Sequence, residues 1–182
     1  MKNLAILGVG NILEKDDAIA IYAAKYLERN YSFSPSIDII NGGVEGINLL
    51  NLFMEYNYIL ILDAIEIEDE AGTIYHIPSN ELTGYGLNSG GAHEIGVIQC
   101  LDILELMGKE LPESSVLGIV PKEIDVEIGL SETLKKKFDV YIQTLLTILE
   151  DFDIKVQKNT TTPLTKIIEE FKIPNSFSTN IQ

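Results

Sequence analysis

The run Tyr58-Ile59-Leu60-Ile61-Leu62 constrains the fold more than any other stretch of this chain. It is continuously apolar and too short for a typical buried helix. A strand with both faces covered reads this way, and such strands belong to parallel sheets with helices on either side. The run is expected to end abruptly at Asp63. A carboxylate closing a buried strand needs partners, because burying it alone is costly.

The chain's opening repeats the theme. Leu4 to Leu7 has the length and character of a second buried strand. Gly8 and Gly10 follow, and without a Cβ they allow a tight turn or a close approach. Asp16 and Asp17 then begin a helical pattern, where carboxylates suit the positive end of the helix dipole. In an open parallel sheet, residues after the strands lie at the carboxyl edge, where ligands bind. Asp17 and Asp63 are therefore expected at one edge.

The remaining elements follow from periodicity and punctuation. Ile19, Tyr22, Ala23, Tyr26 and Leu27 line one face of a helix from about Asp16 to Arg29. Ser36 to Ile40 reads as a strand ended by a turn at Asn41-Gly42-Gly43. Glu45 to Glu55 reads as a short helix with Ile47, Leu50 and either Phe53 or Met54 inward. Ile65 to Ala71 carries four acids, and Gly72 to Ile77 suits an edge strand. The glycine-rich segment Asn80 to Gly91 reads as a mobile loop, with His93 directly after it. Ala92 to Met107 is apolar nearly all round, which predicts a well-buried helix stopped by Gly108. Ser115 to Val120 is a strand ended by Pro121. Ser131 can cap a last long helix striped by Leu134, Phe138, Tyr141, Ile142, Leu145 and Leu149. Asp153 to Val156 is too short to assign. Asn159 to Pro163 reads as a linker, Leu164 to Phe171 as two amphipathic turns, and the polar end after Pro174 as disordered.

Strands alternating with helices give the fold class: α/β, a single domain with a twisted, mainly parallel sheet and helices on both faces. The expected domain spans residues 1–157, with a partly disordered C-terminal extension over 158–182. No run reaches the roughly 18 apolar residues of a membrane span. No signal-peptide pattern opens the chain, and its single Cys100 cannot form an internal disulfide, so a cytoplasmic location is expected. The net charge of −15 disfavours nucleic acid and anionic membrane as partners, since their phosphates are repelled. The same field would steer a basic segment of a protein partner.

Asp17, Asp63 and His93 are the candidate functional residues. Two carboxylates and an imidazole suit a borderline divalent metal such as nickel or zinc. Three protein ligands leave positions open for water or substrate. Each residue also has an ordinary reading: Asp17 as a helix-dipole carboxylate, Asp63 as the cap of a turn, His93 as a structural histidine. His76 reads as a strand-end residue. Cys100, in an apolar helix, reads as core rather than nucleophile. No Ser or Cys stands in a G-x-S-x-G setting. A dinucleotide-binding module is a competing reading of Gly8-Val9-Gly10. Against it, Leu13 replaces the third glycine and Asn41 replaces the ribose-binding acid, so no organic cofactor is expected.

The ordered blocks Leu7-Gly8-Val9-Gly10-Asn11-Ile12-Leu13, Asp16-Asp17, Gly42-Gly43, Leu62-Asp63-Ala64, Ala92-His93-Glu94-Ile95-Gly96, Gly118-Ile119-Val120-Pro121 and Ile128-Gly129-Leu130-Ser131 resemble the nickel–iron hydrogenase maturation endopeptidases. The resemblance covers about residues 3 to 150. It implies an endopeptidase that removes a C-terminal peptide from the nickel-loaded large-subunit precursor of a hydrogenase. It also implies that Asp17, Asp63 and His93 contact the metal, with nickel supplied by the precursor rather than held permanently. Position 17 is Asp where many members carry Glu. Asn41 stands where many carry an acid before the paired glycines. The alternative function is a non-catalytic protein of the same fold that binds a metal-loaded precursor.

Overall fold

The computed structural model describes residues 2–44, 49–81, 97–110 and 112–173. Strand β1 (Lys2–Val9) leads through a 3-10 turn (Lys15–Ala18) into helix α1 (Ile19–Asn30). There follow β2 (Tyr31–Ser34), β3 (Asp38–Gly43), α2 (Leu50–Phe53), β4 (Tyr56–Ala64) and β5 (Ile74–Pro78). The chain continues with α3 (Val97–Leu106), β6 (Glu113–Ile119), α4 (Glu132–Asp151), β7 (Lys155–Lys158) and α5 (Leu164–Lys172).

Five strands form one sheet in the order β3-β1-β4-β6-β5. Every pair is parallel except β5 against β6, so the lone antiparallel strand is at an edge. Strand β4 is central, as its unbroken apolar run requires. Its side chains alternate between two cores. Leu60, Leu62 and Ala64 join the core beneath α1, α4 and α5, while Ile59 and Ile61 join the core beneath α2 and α3. Strand β1 divides likewise, with Leu4 and Ile6 on one face and Ala5, Leu7 and Val9 on the other. A strand covered on both faces has no solvent side, which is why neither run shows polar alternation.

The helix α4 stripe is buried as its spacing predicts, and the Ser131 hydroxyl caps it by accepting the Leu134 N–H at 3.2 Å. Burying Phe138 or Leu145 stabilises the fold by about 1.5–3 kcal/mol each. In α1, all five residues of the predicted face are buried.

Several sequence expectations are corrected. Strand β4 does not stop at Asp63 but pairs with β6 through Ala64. Strand β3 runs on through Asn41-Gly42-Gly43, because Asn41 and Gly43 still pair with β1. In the second helix Phe53 faces inward and Met54 is exposed; Ile47 lies outside the described residues. Helix α3 buries only one face, through Cys100, Leu101 and Leu104, while Leu106 is 87% exposed. Apolar composition overstated its burial, because only one side of a helix can rest on a sheet. Residues 92–96 of that expected helix, and 82–91 of the expected loop, lie outside the described residues.

The segment read as a linker is fastened. Strands β2 and β7 pair antiparallel as a separate ribbon, with Phe33 opposite Val156. Asn30, fully buried at the end of α1, then holds the next residues. Its amide oxygen accepts from Thr162 N–H (2.6 Å) and the Thr160 hydroxyl (3.0 Å), and its amide nitrogen donates to the Thr162 carbonyl (3.0 Å). Helix α5 lands on α1, with Ile167 and Ile168 buried and the Phe171 ring 5.5 Å from Tyr22, edge to face. Asn30→Ala leaves these groups without their partner and is expected to cost about 2 kcal/mol. Chemical denaturation measures that loss. Limited proteolysis should show 159–172 cut first; an unchanged cleavage pattern would show that the helix contacts alone hold the segment.

Candidate active site

The loop between β1 and α1 is built to place Asp17. After Val9 the chain turns at Gly10, whose φ of +144° is open to glycine. A Cβ there would lie 2.0 Å from the Asp17 carbonyl oxygen. Gly10 N–H donates to the Gly43 carbonyl at 3.0 Å, tying the ends of β1 and β3 together. Asn11 N–H then donates to Asp17 Oδ2 at 2.6 Å, which fixes one oxygen of a half-buried carboxyl group. The Asn11 side chain accepts from Leu13 N–H at 3.0 Å and shapes the bend between them.

Asp63 is half-buried on the neighbouring strand. Its position is fixed by register: Leu62 pairs with Gly8 of β1, and Asp63 with Gly118 of β6. By alternation Asp63 shares the face of Ile59 and Ile61, the face covered by α3. Beneath the strand end lies Tyr141, fully buried, whose hydroxyl donates to the Leu117 carbonyl at 2.7 Å. Burial first, and then the Asp63 charge, hold this phenol well above its usual pKa. Tyr141 therefore stays a neutral hydrogen-bond donor that braces the β4–β6 edge.

The Asp17 turn follows β1 and Asp63 stands near the end of β4, so both lie at the carboxyl ends of adjacent strands. His93 lies outside the described residues. Among the described residues no group of three His, Cys, Asp or Glu side chains is placed to hold a metal. Carboxylate oxygens are donors of the kind that hard and borderline divalent ions accept.

The sequence places Asp16 beside Asp17 at the ligand-binding edge, and the structure corrects this by turning it inward. Asp16 is completely buried. Its Oδ2 accepts the N–H groups of Lys122 and Glu123, both at 2.9 Å, and its Oδ1 accepts the Ser131 N–H at 2.7 Å. Nothing local to the chain marks which of the two adjacent acids turns inward, because its donors come from a distant segment. The segment after β6 is bound to the loop by main chain too. Lys15 N–H donates to the Glu127 carbonyl at 2.9 Å, and Glu127 N–H to the Leu13 carbonyl at 3.0 Å. The Lys15 ammonium bonds Glu123 and Glu127, and those hydrogen bonds raise its pKa. Lys15 itself has a φ of +42°, a strained backbone that persists only where surrounding contacts over-determine it.

The other candidates are structural. Cys100 is fully buried, and burial pushes its thiol up, away from the reactive thiolate. His76 Nε2 lies 2.8 Å from Ser115 Oγ, which lies 2.5 Å from the Tyr58 hydroxyl. Partial burial lowers the His76 pKa, keeping the ring neutral. Tyr58 and Ser115 stand toward the amino ends of β4 and β6, away from the Asp17 turn.

The sequence model of the hydrogenase maturation protease family matches residues 21–148. A hydrogenase 2 maturation protease of Escherichia coli strain K12 is 27% identical over 153 residues, which is 84% of this chain and 93% of that protein. The hydrogenase expression/formation protein HupD of Rhizobium leguminosarum bv. viciae is 24% identical over 84% of this chain and 77% of its own length. Among solved structures, the hydrogenase maturating endopeptidase HybD from E. coli superposes with a TM-score of 0.78 at 26% identity, covering 87% of this chain and 98% of that one. The NiFe hydrogenase maturation protease HybD from Thermococcus kodakarensis gives 0.61 at 26% identity, covering 81% and 99%.

Proposed function

Because this chain belongs to the hydrogenase maturation protease family, we propose that it cleaves a C-terminal peptide from the nickel-loaded large-subunit precursor of a nickel–iron hydrogenase. The chain is a peptidase, and its substrate is another protein rather than a small molecule. Nickel belongs to that substrate: it arrives in the precursor and meets Asp17 and Asp63, with His93 as the third contact.

The observation that carries this reading is the placement of Asp17 and Asp63 at the carboxyl ends of neighbouring strands, with Asp17 oriented by Asn11 N–H. Carboxylate oxygens offered from a rigid sheet edge can share a divalent ion that a docking partner already holds. A metal so placed polarises a nearby carbonyl or water, which allows hydrolysis without a protein nucleophile. The burial of Cys100 is consistent with a site that needs no thiolate. The strongly acidic surface favours approach of a basic tail segment. No described helix is long and apolar enough to cross a membrane.

The test is mass spectrometry of a nickel-loaded large-subunit precursor incubated with this protein, beside a nickel-free control. Loss of one discrete C-terminal peptide from the nickel-loaded form alone is the expected result. A persistent complex with no peptide released from its cognate precursor would instead establish a binding protein. Release from both forms would establish a peptidase that does not sense the metal.

A further inference from the structure

We propose that Asp16 is a positioning residue that sets the separation of Asp17 from Asp63. The turnover part of this inference rests on the function proposed above; the geometric part does not. Asp16 and Asp17 share the 3-10 turn Lys15–Ala18, yet they face opposite ways. Asp17 is half-buried at the sheet edge, while Asp16 points into the protein and ends on three main-chain N–H groups of Lys122, Glu123 and Ser131. All three donors belong to the segment that leaves β6, and β6 carries Gly118, the register partner of Asp63. Asp16 therefore ties the turn bearing Asp17 to the strand pair bearing Asp63. The tie is reinforced by the Asp16 N–H, which donates to the Glu123 carbonyl at 3.2 Å.

Without this clasp the turn hangs from β1 and from the Lys15 contacts to Glu123 and Glu127. The left-handed Lys15 backbone is then free to relax, and Asp17 moves with it. An outer partner that orients a ligating carboxylate has a large leverage, because the ligand's bearing changes while its chemistry does not. The clasp is also specific in shape. Oδ2 takes two donors and Oδ1 a third, a pattern that only two acceptor oxygens on one carbon satisfy. Asparagine at 16 presents an NH2 group to at least one of those N–H groups and cannot accept from it.

The experiment uses the full chain carrying Asp16→Asn, with two readouts. The first is amide hydrogen exchange at Asn11, whose N–H bonds Asp17 Oδ2. Exchange will rise at whichever of Lys122, Glu123 and Ser131 the amide no longer accepts from. Exchange at Asn11 rises only if Asp17 has left its seat, and an increase of about tenfold or more is expected. The second readout is cleavage of nickel-loaded precursor, where kcat is expected to fall about 10- to 100-fold while KM moves less than about threefold. Wild-type protection at Asn11 together with wild-type kcat would reduce Asp16 to a brace for the fold and overturn the proposal. Should Asp16→Asn fail to fold, Glu123→Pro deletes one donor from the other side, and the same two changes in weaker form are expected. Glu123→Ala keeps that N–H and loses only the Lys15 contact, so both readouts should change less than in Glu123→Pro; equal changes would overturn the proposal. Wild-type protein that cleaves no precursor at all would count against the proposed function; the Asn11 exchange would still decide the role of Asp16.

Discussion

Asp63→Ala is expected to slow release of the C-terminal peptide by roughly 100-fold or more while leaving the fold intact. The side chain stands one residue before the end of β4, half-buried, and the strand is held there by main-chain pairing to β6. Alanine keeps that pairing. Cooperative thermal unfolding should therefore be retained. What disappears is an oxygen donor whose backbone is held by the β4–β6 pairing. Asp63→Asn should fall between, since it retains an oxygen acceptor but not the charge that favours a divalent cation. Rates come from the mass-spectrometric assay and stability from thermal unfolding. Near-wild-type turnover in Asp63→Ala would remove Asp63 from the site.

Gly10→Ala should damage both fold and function, and more severely than its size suggests. The added Cβ would sit 2.0 Å from the Asp17 carbonyl oxygen, and a φ of +144° is strained for any side chain. Relief requires either the loop or the turn to move, and the turn is pinned by Asp16. The expected cost is about 3 kcal/mol or more. For a chain of this length that lowers Tm by about 6–12 °C. Any folded population should also cleave slowly, because the displaced group is Asp17 itself. Gly8→Ala makes a useful comparison. Its Cβ meets the Ala20 carbonyl at 2.7 Å, so it disturbs the β1–α1 contact rather than the turn. Equal turnover by folded Gly10→Ala and wild type would show that Asp17 need not be seated where the turn holds it.

Much of the architecture was legible because it rests on repeated local signals. The runs in β1 and β4 announced strands buried on both faces, and the stripe and Ser131 cap announced α4. Placing Asp17 and Asp63 at one edge needed only the inference that both strands are parallel neighbours. The blocks that carry the family resemblance also fall on the site's frame. Gly118 to Pro121 and Ile128 to Ser131 bracket the segment that clasps the Asp17 turn. Composition misled where it stood in for geometry. Helix α3 is apolar nearly all round but rests on the sheet along one face, leaving Leu106 and Met107 in solvent.

The central strand and the capped last helix, and from their alternation the fold class, were readable along the chain. Each of these depends on residues within one element or one turn, so spacing reports them. Which of the two adjacent aspartates faces inward depends instead on contacts between distant segments. The three donors that claim Asp16 lie 106 to 115 positions away along the chain. The same holds for Asn30, which pins residues some 130 positions later, and for the pairing of β2 with β7. Local periodicity says which residues share a face. It carries no information about a main-chain N–H brought alongside by the folding of everything between.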